Sequence, residues 1–111
     1  MTTINLAVEG EIATLTLNNP DKLNAINLAM WQQLSANMAS ISADSGIRCV
    51  VLRGAGDQAF AAGGDLEEFV TGRATLEQAL HYHGEVAKAL NAIADCPHPT
   101  VALIKGACIG G

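Results

Sequence analysis

Charge is scarce in this sequence. Only 15% of its 111 residues are Asp, Glu, Lys or Arg, against about 25% in an ordinary soluble domain. The six Lys and Arg are scattered, and the formal net charge is −5. Nucleic acid and anionic membrane surfaces both need a basic patch, so neither is expected as a partner. Cysteine offers no framework either. Cys49, Cys96 and Cys108 make no CxxC pair and no Cys/His spacing, so no metal site is expected. An odd cysteine count without a disulfide pattern points to a reducing compartment, read here as the cytoplasm. No apolar run is long enough to span a bilayer. The opening MTTINLAVEG lacks the basic start of a signal or transit peptide and enters a strand pattern at once. No repeat, low-complexity segment or charged linker divides residues 1–111, a length that suits one domain at most.

What is present is apolar. Half the residues are hydrophobic and the mean hydropathy is +0.26. A chain this long buries roughly 65% of its unfolded surface, enough for a modest core. The excess implies faces that are covered by something outside the chain.

The pattern of those apolar residues predicts an α/β order. Ile4, Leu6 and Val8 alternate with polar or small residues, Gly10 marks a turn, and Ala13, Leu15 and Leu17 alternate again, which reads as a hairpin. NNPDKLNA at 18–25 is a turn-rich loop. A helix follows, capped by Asn27, with Trp31, Leu34, Met38 and Ile41 as its apolar stripe. Cys49–Leu52 is a continuous apolar run suited to a central strand. Residues 55–66 read as a glycine-rich loop leading into a short helix. Thr75 and Gln78 have capping-box spacing and open a second long helix. Leu76, Leu80, Val86, Leu90 and Ile93 are its expected buried face, and Pro97 ends it. Val101–Ile104 is expected to be a short buried strand. After the hairpin, strands alternate with long helices, so the class is α/β rather than a β-sandwich.

Two stretches offer chemistry. In AFAAGGDLEEF at 59–69, small residues lead into a helix start, where unpaired N–H groups and the helix dipole favour negative charge. VALIKGACIGG at 101–111 repeats that plan. Two such strand ends could together stabilise one oxyanion. Each loop alone reads more readily as a tight turn, because glycine turns are common. Glu67 and Glu68 read as first-turn carboxylates. His81 and His83, two apart on a helix, point to different faces and make no metal pair. Cys108 has no neighbouring His to activate it and reads as a small buried residue.

Taken together, NPDKLNAI at 19–26, FAAGGDL at 60–66 and VALIKGACIGG at 101–111 resemble the enoyl-CoA hydratase/isomerase (crotonase) superfamily. The resemblance covers the whole chain but only the N-terminal half of the family's ββα spiral. It implies that the sequence stops inside the second oxyanion-hole motif. It also implies an acyl-CoA thioester as substrate, with coenzyme A entering as part of it and no separate cofactor. The thioester carbonyl would lie between the backbone N–H groups of Gly64 and Gly111. Gly64 stands where many members carry alanine. Backbone groups of Ala25 and Ala62 would hold the adenine, and Lys22, Leu23, Asp65 and Leu66 would line the same groove. The proton-transfer glutamates of hydratases fall after the second motif, so the 111 residues are expected to be catalytically incomplete. Two other readings stand beside this one: a non-catalytic, self-associating interaction module, and a fragment of a longer enzyme. A homo-oligomer is expected in either case, because a half-spiral leaves edges and apolar faces open.

Overall fold

The structure is a computed structural model and describes residues 3–72 and 74–111. Strands β1 (Thr3–Glu9) and β2 (Ile12–Asn18) form the expected antiparallel hairpin. The register sets Ile4 against Leu17 and Leu6 against Leu15. A 3-10 turn at Pro20–Lys22 leads to α1 (Leu28–Ser42), then β3 (Cys49–Gly54). Next come β4 (Ala59–Ala61), α2 (Leu66–Gly72), α3 (Leu76–Ala94), β5 (Thr100–Leu103) and β6 (Ala107–Cys108).

The main sheet runs β1-β2-β3-β5, with β2, β3 and β5 mutually parallel. Parallel neighbours need long crossovers, which α1 and α3 provide. A second, two-stranded parallel sheet joins β4 to β6. Both of its strands lie in segments expected to be loop. They are two and three residues long and built of small side chains, too short for an alternation to register.

The core lies where α1 meets the sheet. Ala13, Leu15, Leu17 and Val50 pack with Met30, Leu34, Met38 and Ile41, all at 2% exposure or less. Asn27 caps α1 as expected, its Oδ1 accepting from the Met30 N–H at 2.9 Å. The edge strand β1 is tied down by Gln33, whose Oε1 accepts from the Ile4 N–H at 2.8 Å. At the far end of α1, His98 Nε2 is hydrogen-bonded to the Ile41 carbonyl, a structural role for a loop histidine.

Three burial expectations fail for one reason. Leu76 (77% exposed) and Leu80 (64%) are open, while Tyr82 and Ala89 are the buried residues of α3. Every residue of β5 is exposed, and so are Ile104 and Cys108. Helix α3 packs on α1 along one side, and β5 is the last strand of its sheet. Apart from a small contact of α2 with α3, no element among the described residues covers their other faces. The carboxylates of 67–68 are more than dipole partners: Glu68 Oε1 accepts from the Leu28 N–H at 2.7 Å, so α2 helps to cap α1.

Candidate functional site

Loop 19–26 is held by two buried asparagines. Leu23 and Asn24 both adopt left-handed backbone, φ 52° and 58°, a conformation that costs L-residues about 1 kcal/mol or more each. Side-chain hydrogen bonds offset that cost. Asn24, 1% exposed, donates from Nδ2 to the carbonyls of Ala55 (3.0 Å) and Ala59 (2.9 Å). Its Oδ1 accepts from the Asn19 N–H at 3.0 Å. Asn19 Nδ2 donates to the Ala25 carbonyl at 2.9 Å. The sequence offered a trace of this, since Asn is one of the few side chains that tolerate the left-handed region.

Loop 62–66 is stitched to the end of that segment. The Ile26 N–H donates to the Gly63 carbonyl at 2.8 Å, and the Asp65 N–H donates to the Ile26 carbonyl at 3.2 Å. This is a parallel bridge between Ile26 and Gly64. In such a bridge Ile26 uses both its polar groups, while those of Gly64 point to the opposite side. The Gly64 N–H therefore faces away from Ile26, and it has no hydrogen-bond partner among the described residues.

The second glycine segment comes up against the first. The β4–β6 ladder places the Ala107 N–H on the Gln58 carbonyl at 3.1 Å and the Ile109 N–H on the Ala61 carbonyl at 3.0 Å. Gly63 and Gly110 then meet backbone to backbone. A Cβ on Gly110 would lie 3.0 Å from Gly63 Cα, and both residues have positive φ, 95° and 81°. Only glycine fits on either side of this contact. Gly63, Gly110 and Gly111 line one wall of an apolar cavity of about 220 Å³, with Trp31, Leu34, Phe60 and Leu90 opposite.

Lys22, Ala25, Ala62, Gly64, Asp65 and Leu66 line an open groove of about 220 Å³, together with Glu67. Six expected site residues thus share one groove. Leu23 faces a neighbouring hollow beside Pro20, Asn24 and Ala55, because the left-handed turn sends it away from Lys22. Gly111 lies in the apolar cavity with Gly63.

The groove's cation is held from two sides. Lys22 Nζ lies 2.9 Å from Glu67 Oε2 and 3.2 Å from Asp65 Oδ2. The hydrogen bond to Glu67, then that to Asp65, raises the Lys22 pKa above its ordinary value, so the ammonium stays charged. Asp65 also accepts the Glu67 N–H on Oδ1 at 3.1 Å, closing the first turn of α2. No group of three or more His, Cys, Asp or Glu side chains that could hold a metal exists among the described residues. No helix among them is long and apolar enough to cross a membrane.

The enoyl-CoA hydratase/isomerase family model matches residues 12–111. A crystal structure of an enoyl-CoA hydratase/carnithine racemase from Magnetospirillum magneticum is 52% identical, with a TM-score of 0.94, over 99% of this chain and 41% of its own. The mitochondrial 3-hydroxyisobutyryl-CoA hydrolase of Gallus gallus is 35% identical over 96% of this chain and 28% of its own length. The mitochondrial Delta(3,5)-Delta(2,4)-dienoyl-CoA isomerase of Mus musculus is 33% identical over 95% of this chain and 35% of its own. The chain thus spans about 40% of the solved relative and about a third of the two curated ones. With the matched fold and the matched length both covering nearly all of these 111 residues, the chain belongs to the enoyl-CoA hydratase/isomerase family.

Proposed function

We propose that this chain binds an acyl-CoA thioester and polarises its carbonyl. The carrier lies in the groove of Lys22, Ala25, Ala62, Asp65 and Leu66, and the carbonyl oxygen accepts from the N–H groups of Gly64 and Gly111. The observation that carries this reading is the glycine junction. It brings the two segments together at Gly63–Gly110 and leaves the Gly64 N–H without a partner among the described residues. Hydration, double-bond migration and thioester hydrolysis all pass through states with negative charge on that oxygen. Loss of one aimed donor in such a site typically costs about 3 kcal/mol. The names of the relatives, a hydratase/racemase, a hydrolase and an isomerase, fit a shared anion-stabilising step with different proton chemistry. The groove's own carboxylates, Asp65 and Glu67, are bound to Lys22, and Glu68 caps α1. In this reading proton transfer belongs to groups other than these three carboxylates.

Calorimetric titration with crotonyl-CoA, paired with infrared spectroscopy of the bound thioester carbonyl, tests the reading. Saturable binding with the carbonyl stretch moved to lower frequency is expected. Binding without that movement would remove the oxyanion role, and no saturable binding would remove the whole proposal.

A second reading concerns association. β5 is an open sheet edge, and Leu103, Ile104 and Ile109 beside it are 45%, 50% and 65% exposed. Such edges and patches pair readily with another chain. A dimer or larger oligomer by light scattering at micromolar concentration is the expected result. A monodisperse monomer would count against it.

A further inference from the structure

Lys22 has two partners of different character. Asp65 is 10% exposed at its side chain and is fixed three ways. Its N–H bonds Ile26, its Oδ1 accepts from Glu67 N, and its Oδ2 meets Lys22. Glu67 is 83% exposed at its side chain and touches Lys22 only through its carboxylate tip. The first partner is built into the loop. The second is a solvated side chain that can swing away at little cost.

From this asymmetry we propose that Glu67 is a resident counter-ion that an anionic ligand must displace from Lys22. Glu67 thereby sets how much the groove gains from a ligand's phosphates. The inference rests on the groove being the carrier site of the function proposed above. Asp65 is the positioning residue, which keeps the ammonium at the rim whether or not a ligand is bound. A phosphate offers several acceptor oxygens and more charge than one carboxylate, so it can take Glu67's place on Nζ. What remains is a negative side chain at the mouth of the groove, repelling the same phosphates. Glu67 thus weakens phosphate-bearing ligands twice, as a competitor and as a like charge. It leaves a neutral ligand untouched.

The test uses the full 111-residue chain with two probes: a CoA thioester, and the matching pantetheine thioester without phosphates. Glu67→Gln keeps the shape and removes the charge, and Glu67→Lys reverses it. Relative to the parent chain, CoA-thioester affinity is expected to rise about threefold in E67Q, within what exposed ion pairs contribute. In E67K the rise is about tenfold, with a steeper loss on adding salt. Pantetheine-thioester affinity is expected to stay constant across all three proteins. CoA-thioester affinity unchanged in both variants would overturn the counter-ion role while leaving the carrier site standing. Equal tightening of both probes would overturn it as well, because the effect would not act through phosphate. Failure of every protein to bind either probe would instead overturn the carrier site itself, and this inference with it.

Discussion

The two long helices make an instructive pair. Helix α1 has 15 residues and buries six of them: Met30, Trp31, Leu34, Ser35, Met38 and Ile41. Helix α3 has 19 residues and buries two, Tyr82 and Ala89. The difference is in their neighbours. Helix α1 has the sheet on one side and α3 on another, so its stripe is enclosed. Helix α3 has α1 on one side and only a small contact with α2 besides, and Leu76 and Leu80 face outward. Hydrophobic periodicity reports that a stripe exists. It does not report which surface covers it.

The largest effect that could break this comparison is a matched pair of truncations. Leu34→Ala in α1, at 2% exposure, should cost about 3 kcal/mol, as cavity-forming core substitutions do. Leu80→Ala in α3, at 64% exposure, should stay within about 0.5 kcal/mol. Urea denaturation of both variants measures the contrast. A Leu80→Ala cost near that of Leu34→Ala would show that the outer face of α3 is covered in solution, and the association reading would gain directly.

A smaller but still large effect lies in the loop that carries the site. Asn24→Asp preserves the shape but cannot donate to both the Ala55 and Ala59 carbonyls, which now receive Nδ2 at 3.0 and 2.9 Å. A loss of about 2 kcal/mol is expected, the usual cost of stranding buried polar groups. The groove should loosen with it, since Ala25 is held through Asn19. If Asn24→Asp instead leaves the urea midpoint unchanged, the loop is held by its backbone turn and not by the asparagine pair.

The same contrast separates what the sequence disclosed from what it withheld. Asn27 and Thr75 were legible as caps, because capping is local chemistry read within three residues. The hairpin alternation and the Trp31–Ile41 stripe were legible for the same reason. The groove was legible only through resemblance, because Lys22 and Asp65 are 43 positions apart and no periodicity joins them. The Asn19–Asn24 network was hidden, because turn-rich loops all look alike until their side chains find carbonyls elsewhere. Burial of α3 and β5 was overestimated. Apolar character does not by itself mean coverage, and coverage depends on elements that a local pattern cannot name.

Gly84 offers a milder probe of α3's open side. It sits within the helix, and a Cβ there would meet nothing within 4 Å. Gly84→Ala should therefore stabilise the chain by about 0.5–1 kcal/mol, from helix propensity alone. A higher thermal midpoint would sharpen the picture of a helix with one bare side. A lower one would mean that something packs closely over Gly84 in solution, and the contrast between α1 and α3 would weaken.

The smallest expected effect tests how the start of α2, the element between the site loop and α3, is fastened. Where α1 is held by burial, this point is held by charge, through Lys22 with Glu67 and Asp65. Glu67, and then Asp65, raise the Lys22 pKa above the ordinary 10.5. A group raised on folding contributes stability that is complete below its unfolded pKa and is lost as pH climbs through its folded value. The pair should thus stabilise the chain fully at neutral pH and progressively less above about pH 10.5. The informative quantity is a difference between two proteins. The urea midpoints of the parent chain and Lys22→Gln should be farthest apart near neutral pH and converge as pH climbs above about 10.5. The gap should also shrink in high salt, because Glu67 is exposed and such pairs are screened. A gap that stays constant with pH would mean that Lys22 acts through its aliphatic stem rather than its charge. The site loop would then be fastened by packing, as α1 is.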